Sequence, residues 1–180
     1  NWDSYHIGVG PTKRTKLNSD DGPETYSGVW NDTAPTSTVF SQQGNSTWYT
    51  TGNNIITYCW RPIAGYSAFG YYSGNNSTDG PRLYFGFRPR FMLIKGADAN
   101  GTSWVMIDSE RDTDGNPTGN TTYLKGNSSD AEQADGAHEW GDFLSNGFKH
   151  NQNGGWHNGS GKEYFYAAWA ENPFKTARAV

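Results

Sequence analysis

The tightest constraint on this chain is how its apolar residues are distributed: short aromatic and β-branched segments, each cut off by Gly, Asn or Pro. Ile55-Ile56-Thr57-Tyr58-Cys59-Trp60 follows Gly52-Asn53-Asn54 and stops at Pro62. Leu83-Tyr84-Phe85-Gly86-Phe87 alternates, which puts Leu83, Phe85 and Phe87 on one face of a strand. Phe91-Met92-Leu93-Ile94, an unbroken apolar run, lies between Pro89 and Gly96 and reads as a strand buried on both faces. Trp104-Val105-Met106-Ile107 follows Asp98-Ala99-Asn100-Gly101, whose Asn-Gly pair signals a hairpin. Tyr164 to Ala170 forms the last such strand, ending before Pro173. One helical turn is predicted at Ser129-Asp130-Ala131-Glu132, a Ser-x-x-Glu capping box that Gly136 soon ends. The expected fold is all-β: an antiparallel β-sandwich, jelly-roll or lectin-like, with little helix.

Composition narrows the function classes. Aromatic residues make up 16% of the 180 and charged residues only 18%, the reverse of a disordered chain. A net charge of −4 leaves no broad basic surface, so nucleic-acid binding is not expected. No apolar stretch approaches the roughly 18 residues of a membrane span, so no membrane insertion is expected. With Cys59 as the single cysteine, no intrachain disulfide can form, and its place within an apolar strand predicts a buried, inert thiol. Trp60, Trp104 and Trp169 are expected in the core. Eight Asn-x-Ser/Thr triplets occur, as in secreted glycoproteins, but a chain with 17 Asn, 17 Thr and 15 Ser forms such triplets readily from its composition, which is the preferred reading. The start at Asn1-Trp2, with neither Met nor signal peptide, reads as a cut inside a longer parent chain.

The chain also repeats itself in diverged form. Val39-Phe40-Ser41-Gln42-Gln43-Gly44 has a counterpart in Phe143-Leu144-Ser145-Asn146-Gly147. Each is followed by a polar stretch carrying one tryptophan, Trp48 or Trp156, and then by a glycine and an aromatic strand. Trp2-Asp3-Ser4-Tyr5 matches Trp104 to Ile107, and Leu17-Asn18-Ser19-Asp20 matches Leu124 to Asp130. Residues 1–62 read as the latter part of a first β repeat and 63–180 as a complete second one, the two packed together. The missing front of the first unit is expected upstream in the parent chain, or borrowed from strands within this one.

Catalytic and metal chemistry find little support. Asp112, Asp114 and Asn116 have the first oxygen spacings of a calcium loop, but Pro117 and Tyr123 stand where an EF-hand needs Gly and Glu. A solvated turn is the preferred reading. His6, His138, His150 and His157 show no metal-binding spacing. Asp108, Glu110, Asp112 and Asp114 offer carboxylates, yet no Gly-x-Ser-x-Gly elbow or assignable acid/base pair accompanies them. The chain is therefore expected to be no enzyme and to hold no metal or cofactor. Contact chemistry is better represented. Trp48-Tyr49 and Trp156-His157 occupy corresponding Gly/Asn/Ser/Thr-rich loops, where aromatic faces could stack on sugar rings. The competing reading folds these rings back over a sheet edge or an interchain contact.

Tyr58-Cys59-Trp60, Gly65-Tyr66-Ser67-Ala68-Phe69-Gly70 and Tyr72 to Pro81 follow one another in an order that carries a resemblance. So do Gly86 to Lys95, Trp104 with Asp108 and Arg111, Asp142 to Lys149, and Ala170-Glu171-Asn172-Pro173-Phe174. Together they resemble a repeat domain of tail-fibre and other virion appendage proteins of tailed, notably marine, bacteriophages. The likeness covers nearly the whole chain and is weakest over residues 1–57. It implies an extracellular virion module for host-surface attachment or particle architecture. It further implies a homo-oligomer, a trimer among its forms, with other virion proteins and a host-surface glycan or protein as partners. The family is of uncharacterised biochemistry, so no catalytic residue is implied. The large rings at Trp156-His157 and the Asp112–Asn116 stretch depart from its pattern. A purely structural subunit and, less favoured, a polysaccharide depolymerase are the alternatives.

Overall fold

Short strands satisfy their buried N–H and C=O groups by pairing with other strands, and among the described residues every strand pairing is antiparallel. The computed structural model describes residues 2–43, 54–98, 101–111, 122–134 and 140–173. The strands in chain order are β1 (Asp3–Ser4), β2 (Lys13–Lys16), β3 (Glu24–Thr25), β4 (Ser67–Ser73), β5 (Arg82–Tyr84), β6 (Pro89–Gly96), β7 (Val105–Asp108), β8 (Thr122–Lys125), β9 (Gln133–Ala134), β10 (Gly141–Leu144), β11 (Gly147–His150) and β12 (Glu163–Ala170). One helical turn, α1 (Ser27–Trp30), lies between β3 and β4. The largest sheet runs β4-β12-β6-β7-β8-β9, and two smaller sheets run β10-β11-β5 and β1-β2-β3.

Alternation along β12 decides what faces what. Tyr164 and Ala168 point to one side of the large sheet, where Met92, Ile94, Val105, Ile107 and Tyr123 join them. Leu83, Phe143 and Phe148 of the β10-β11-β5 sheet close over that side and complete the core. Aromatic rings fill the space: Phe143 meets Phe148 edge to face at 5.3 Å, and Tyr72 stacks on Tyr164 at 5.2 Å. The fold is an all-β, antiparallel, sandwich-like arrangement.

On the other side of the large sheet, Tyr71, Phe165 and Lys95 lie in register. The N-terminal segment packs there. His6 stacks on Phe165 at 4.5 Å, and its Nε2 bonds the Tyr166 carbonyl at 3.1 Å. The Trp104 indole N–H donates to the Lys16 carbonyl at 2.8 Å, and the Lys95 ammonium donates to the carbonyls of Asp20, at 3.1 Å, and Thr102.

Several expectations need correcting. Ile55–Trp60 is not a strand: residues 54–62 pair with no strand among the described residues, and Ile55, Ile56, Tyr58 and Trp60 are exposed. Trp60 therefore leaves the core, touching Trp169 edge-on at 6.3 Å, while Trp104 is buried and Trp169 half-buried. Cys59 is an exposed free thiol. Ser129–Glu132 is not helical. Ser128 Oγ instead accepts the Asp130 N–H, and Glu132 pairs with Arg111 at 3.4 Å rather than turning back to cap a helix. The helical turn falls at Ser27–Trp30 and stops at Asn31, whose φ of 52° is left-handed.

Candidate functional site

The loop holding Trp156 is fixed by its neighbours. Asn158 is fully buried and satisfies its amide completely. Its Oδ1 accepts the Asn75 N–H at 2.9 Å, and its Nδ2 donates to the carbonyls of Ser77 (2.9 Å) and Gln152 (2.8 Å). The Asn76 N–H reaches the Asn158 carbonyl at 2.7 Å, so one side chain ties the 74–80 turn to the 152–158 loop. Gly74 is required there, because a Cβ would strike the Gly159 carbonyl.

His157, expected beside Trp156 as a contact residue, points inward and is 3% exposed. Its ring stacks on Trp140 at 4.3 Å, and its Nδ1 lies 3.3 Å from Nδ1 of the buried His150. The Tyr72 hydroxyl donates to the His157 carbonyl at 2.7 Å. His157 is thus a packing residue. With His157 and Asn158 turned inward, Trp156 is turned out, 42% exposed. The Lys125 ammonium sits 5.3 Å from its ring centroid and bonds Asp130 at 2.9 Å. Trp48 and Tyr49 lie outside the described residues.

A second exposed tryptophan stands near the same turn. Trp2, 62% exposed, lines an open groove of about 280 Å³ with Leu17, Asn18 and Gly126. Its backbone is fixed by two bonds: the Trp2 N–H donates to Asn18 Oδ1 at 3.0 Å, and its carbonyl accepts the Leu17 N–H at 2.9 Å. Lys125 beneath Trp156 and Gly126 in the groove wall are consecutive, so both indoles border one β8 turn. Around them stand an amide (Asn18), an ammonium (Lys125) and a carboxylate (Asp130), the last held below the usual carboxylate range by hydrogen bonds from Lys125 and Ser128. Nonpolar faces with a polar rim suit a ligand with C–H faces and hydroxyl edges. In the sequence Trp2 stands out only as the counterpart of Trp104. The bonds of the Leu17-Asn18 turn show it as a surface ring carried on a held backbone.

The remaining candidates are engaged elsewhere. Asp108 pairs with Arg111 at 3.1 Å and accepts the N–H groups of Glu110 and Arg111, while Glu110 pairs with Arg90. Asp112, Asp114 and Asn116 lie outside the described residues. Among the described residues, no group of three or more His, Cys, Asp or Glu side chains is placed to hold a metal ion. No described helix is long and apolar enough to cross a membrane.

A family model described as a domain of unknown function (DUF7483) matches residues 1–173. No curated protein and no solved structure matches the chain.

Proposed function

We propose that this chain, which belongs to the DUF7483 family, is a non-enzymatic attachment module that grips glycan through Trp2 and Trp156. The observation carrying this reading is the pair of exposed indoles bordering the Lys125-Gly126 turn, one of them walling an open groove. Each ring offers a stacking face, and Asn18, Lys125 and Asp130 offer donors and acceptors for hydroxyls. Single contacts of this kind are weak, and repeated presentation on an oligomer multiplies them. The setting, a bacteriophage virion appendage outside the particle, rests on the motif resemblance alone.

A glycan array probed with multivalent wild type, Trp2→Ala and Trp156→Ala tests the reading. Wild type should bind a restricted glycan class. Each variant should bind it about five- to tenfold more weakly, the equivalent of roughly 1 kcal/mol per lost stacking contact. No glycan bound by wild type, or variants that bind like it, would overturn the proposal. An architectural role is the second reading, and the exposed Ile55–Trp60 segment favours it.

A further inference from the structure

The two β turns at the ends of β2 and β8 are built bond for bond alike. The Trp2 carbonyl accepts the Leu17 N–H at 2.9 Å, and the Trp104 carbonyl accepts the Gly126 N–H at 2.7 Å. The Trp2 N–H donates to Asn18 Oδ1 at 3.0 Å, and the Trp104 N–H to Asn127 Oδ1 at 2.7 Å. Asp21 N–H bonds Ser19 Oγ at 3.0 Å as Asp130 N–H bonds Ser128 Oγ at 3.1 Å. Lys16 reaches Asp21 at 3.3 Å as Lys125 reaches Asp130 at 2.9 Å. The pairing registers agree as well: Asp3↔Lys16 answers Val105↔Lys125, and Arg14↔Glu24 answers Tyr123↔Gln133. The β1-β2-β3 sheet is therefore a second copy of β7-β8-β9.

The spacing of 109 residues from Lys16 to Lys125 recurs from Gly52 to Gly161 and from Trp60 to Trp169. Ile55–Trp60 is thus the counterpart of Tyr164–Trp169 in β12. In the second unit that strand is the middle of the sheet, paired along its length with β4 on one edge and β6 on the other. Phe165 is 2% exposed there, whereas its counterpart Ile56 is 80% exposed. Ala168 is fully buried, whereas its counterpart Cys59 is exposed. β7 pairs with β6 through Phe91–Ile94, whereas β1 is an edge strand. The same strand order in the first unit would put a β6-type strand between β1 and Ile55–Trp60 and a β4-type strand on the far edge. The chain's own β4 and β6 are already committed to β12.

We propose that Ile55–Trp60 and the β1 edge form a docking surface for a β4–β6-type strand pair from another repeat of this kind. Main-chain bonds would supply affinity, and apolar side chains alternating as Met92 and Ile94 do would set the register. This goes beyond the attachment reading and does not depend on it.

Cys59 reports the outcome, because docking should bury it as Ala168 is buried. The full chain is extended at its amino end by a linked copy of residues 63–98, and separately mixed with a peptide of that sequence. Thiol reactivity toward Ellman's reagent is then followed. At least one format should slow the reaction by about 100-fold or more, as expected for a thiol moved from solvent into a sheet. Hydrogen exchange should slow at residues 55–60, and a donor carrying Met92→Asp and Ile94→Asp should restore the original rate. Rates within twofold of the unmodified chain in both formats would overturn the proposal. So would protection that grows with concentration of the unmodified chain alone, which would name a second copy docking directly as the occupant.

Discussion

Lys95 should make this protein more stable as the solution turns alkaline. The residue lies in β6 on the side of the large sheet where the N-terminal segment packs, and it is fully buried. Its ammonium donates to the carbonyls of Asp20 and Thr102, holding the β2–β3 connection against the sheet. Burial outweighs the attraction of the Asp20 and Asp21 carboxylates and pushes the amine from 10.5 down to about 8. Between those two values the unfolded chain still carries a proton that the folded chain has released. Stability therefore rises with pH across the window, and the favourable contribution is absent below about pH 8. At about 1.36 kcal/mol per pKa unit, the gain from pH 7 to pH 9.5 is about 2 kcal/mol.

Urea unfolding followed by tryptophan fluorescence measures this directly. The upper limit is set by Tyr72, Tyr164 and Tyr166, whose hydroxyls burial pushes above their ordinary value. Those tyrosines ionise first in the unfolded chain, so stability must fall again beyond about pH 10. Lys95→Met keeps the length of the stem and removes the titration. Wild type should gain stability between pH 7 and 9.5 while the variant stays flat. Parallel curves for the two proteins, or a fall for wild type over that range, would refute the reasoning.

Acid should destabilise the fold through two histidines. His6 donates from Nε2 to the Tyr166 carbonyl and accepts the Gly8 N–H at Nδ1, so a second ring proton would set two donors face to face. Burial lowers its pKa, and burial with the nearby His157 lowers that of His150 well below 6.5. The unfolded chain binds protons first as pH falls below 6.5, costing up to about 2.7 kcal/mol per pH unit for the two groups. His6→Gln should flatten, without abolishing, the slope measured by urea unfolding between pH 6.5 and 5.5. Asn158→Ala should cost about 2–4 kcal/mol by removing three part-buried hydrogen bonds, at about 1 kcal/mol each, that tie the 74–80 turn to the 152–158 loop, read as a lower thermal midpoint. Trp104→Ala should cost about 3–5 kcal/mol, whereas Trp60→Ser, at an exposed ring, should cost under about 1 kcal/mol in the same assay.

What could be read from the residues follows from how local each signal is. Phe91 to Ile94 and Tyr164 to Ala170 fall on strands, because Pro89, Gly96 and Pro173 bound them locally, whereas of residues 83–87 only Leu83 and Tyr84 do: that strand ends at Tyr84, and Gly86 turns the chain with a φ of 78°. Ile55–Trp60 carries the same local signal as Tyr164–Trp169 and fails to become a strand, because a strand is completed by its neighbours rather than by its own composition. Ser129–Glu132 fails for a related reason: Arg111, distant in sequence, takes the Glu132 carboxylate that the cap needed. At the candidate site, the polar loop around Trp156 was legible, but the inward turn of His157 was not. It depends on Trp140, His150 and Tyr72, three residues contributed by other segments of the chain.

The same dependence on neighbours links the surface to the fold. Asn18 and Asn127 perform one task in two copies, each capping the tryptophan that begins its strand. In the complete copy Trp104 is covered by Lys16 and Phe165, so its indole is spent on packing. In the other copy Trp2 stays exposed over the groove. One motif thus yields a buried ring where its sheet is covered and an exposed ring where it is not. A strand pair docked on β1 would pass beside Trp2, and glycan and strand would then meet at adjoining surfaces. Glycan binding measured with and without the linked 63–98 copy separates the two roles: Trp2→Ala should weaken glycan binding in both proteins, while the docked strands should change the rate of Cys59 modification in both Trp2 backgrounds alike.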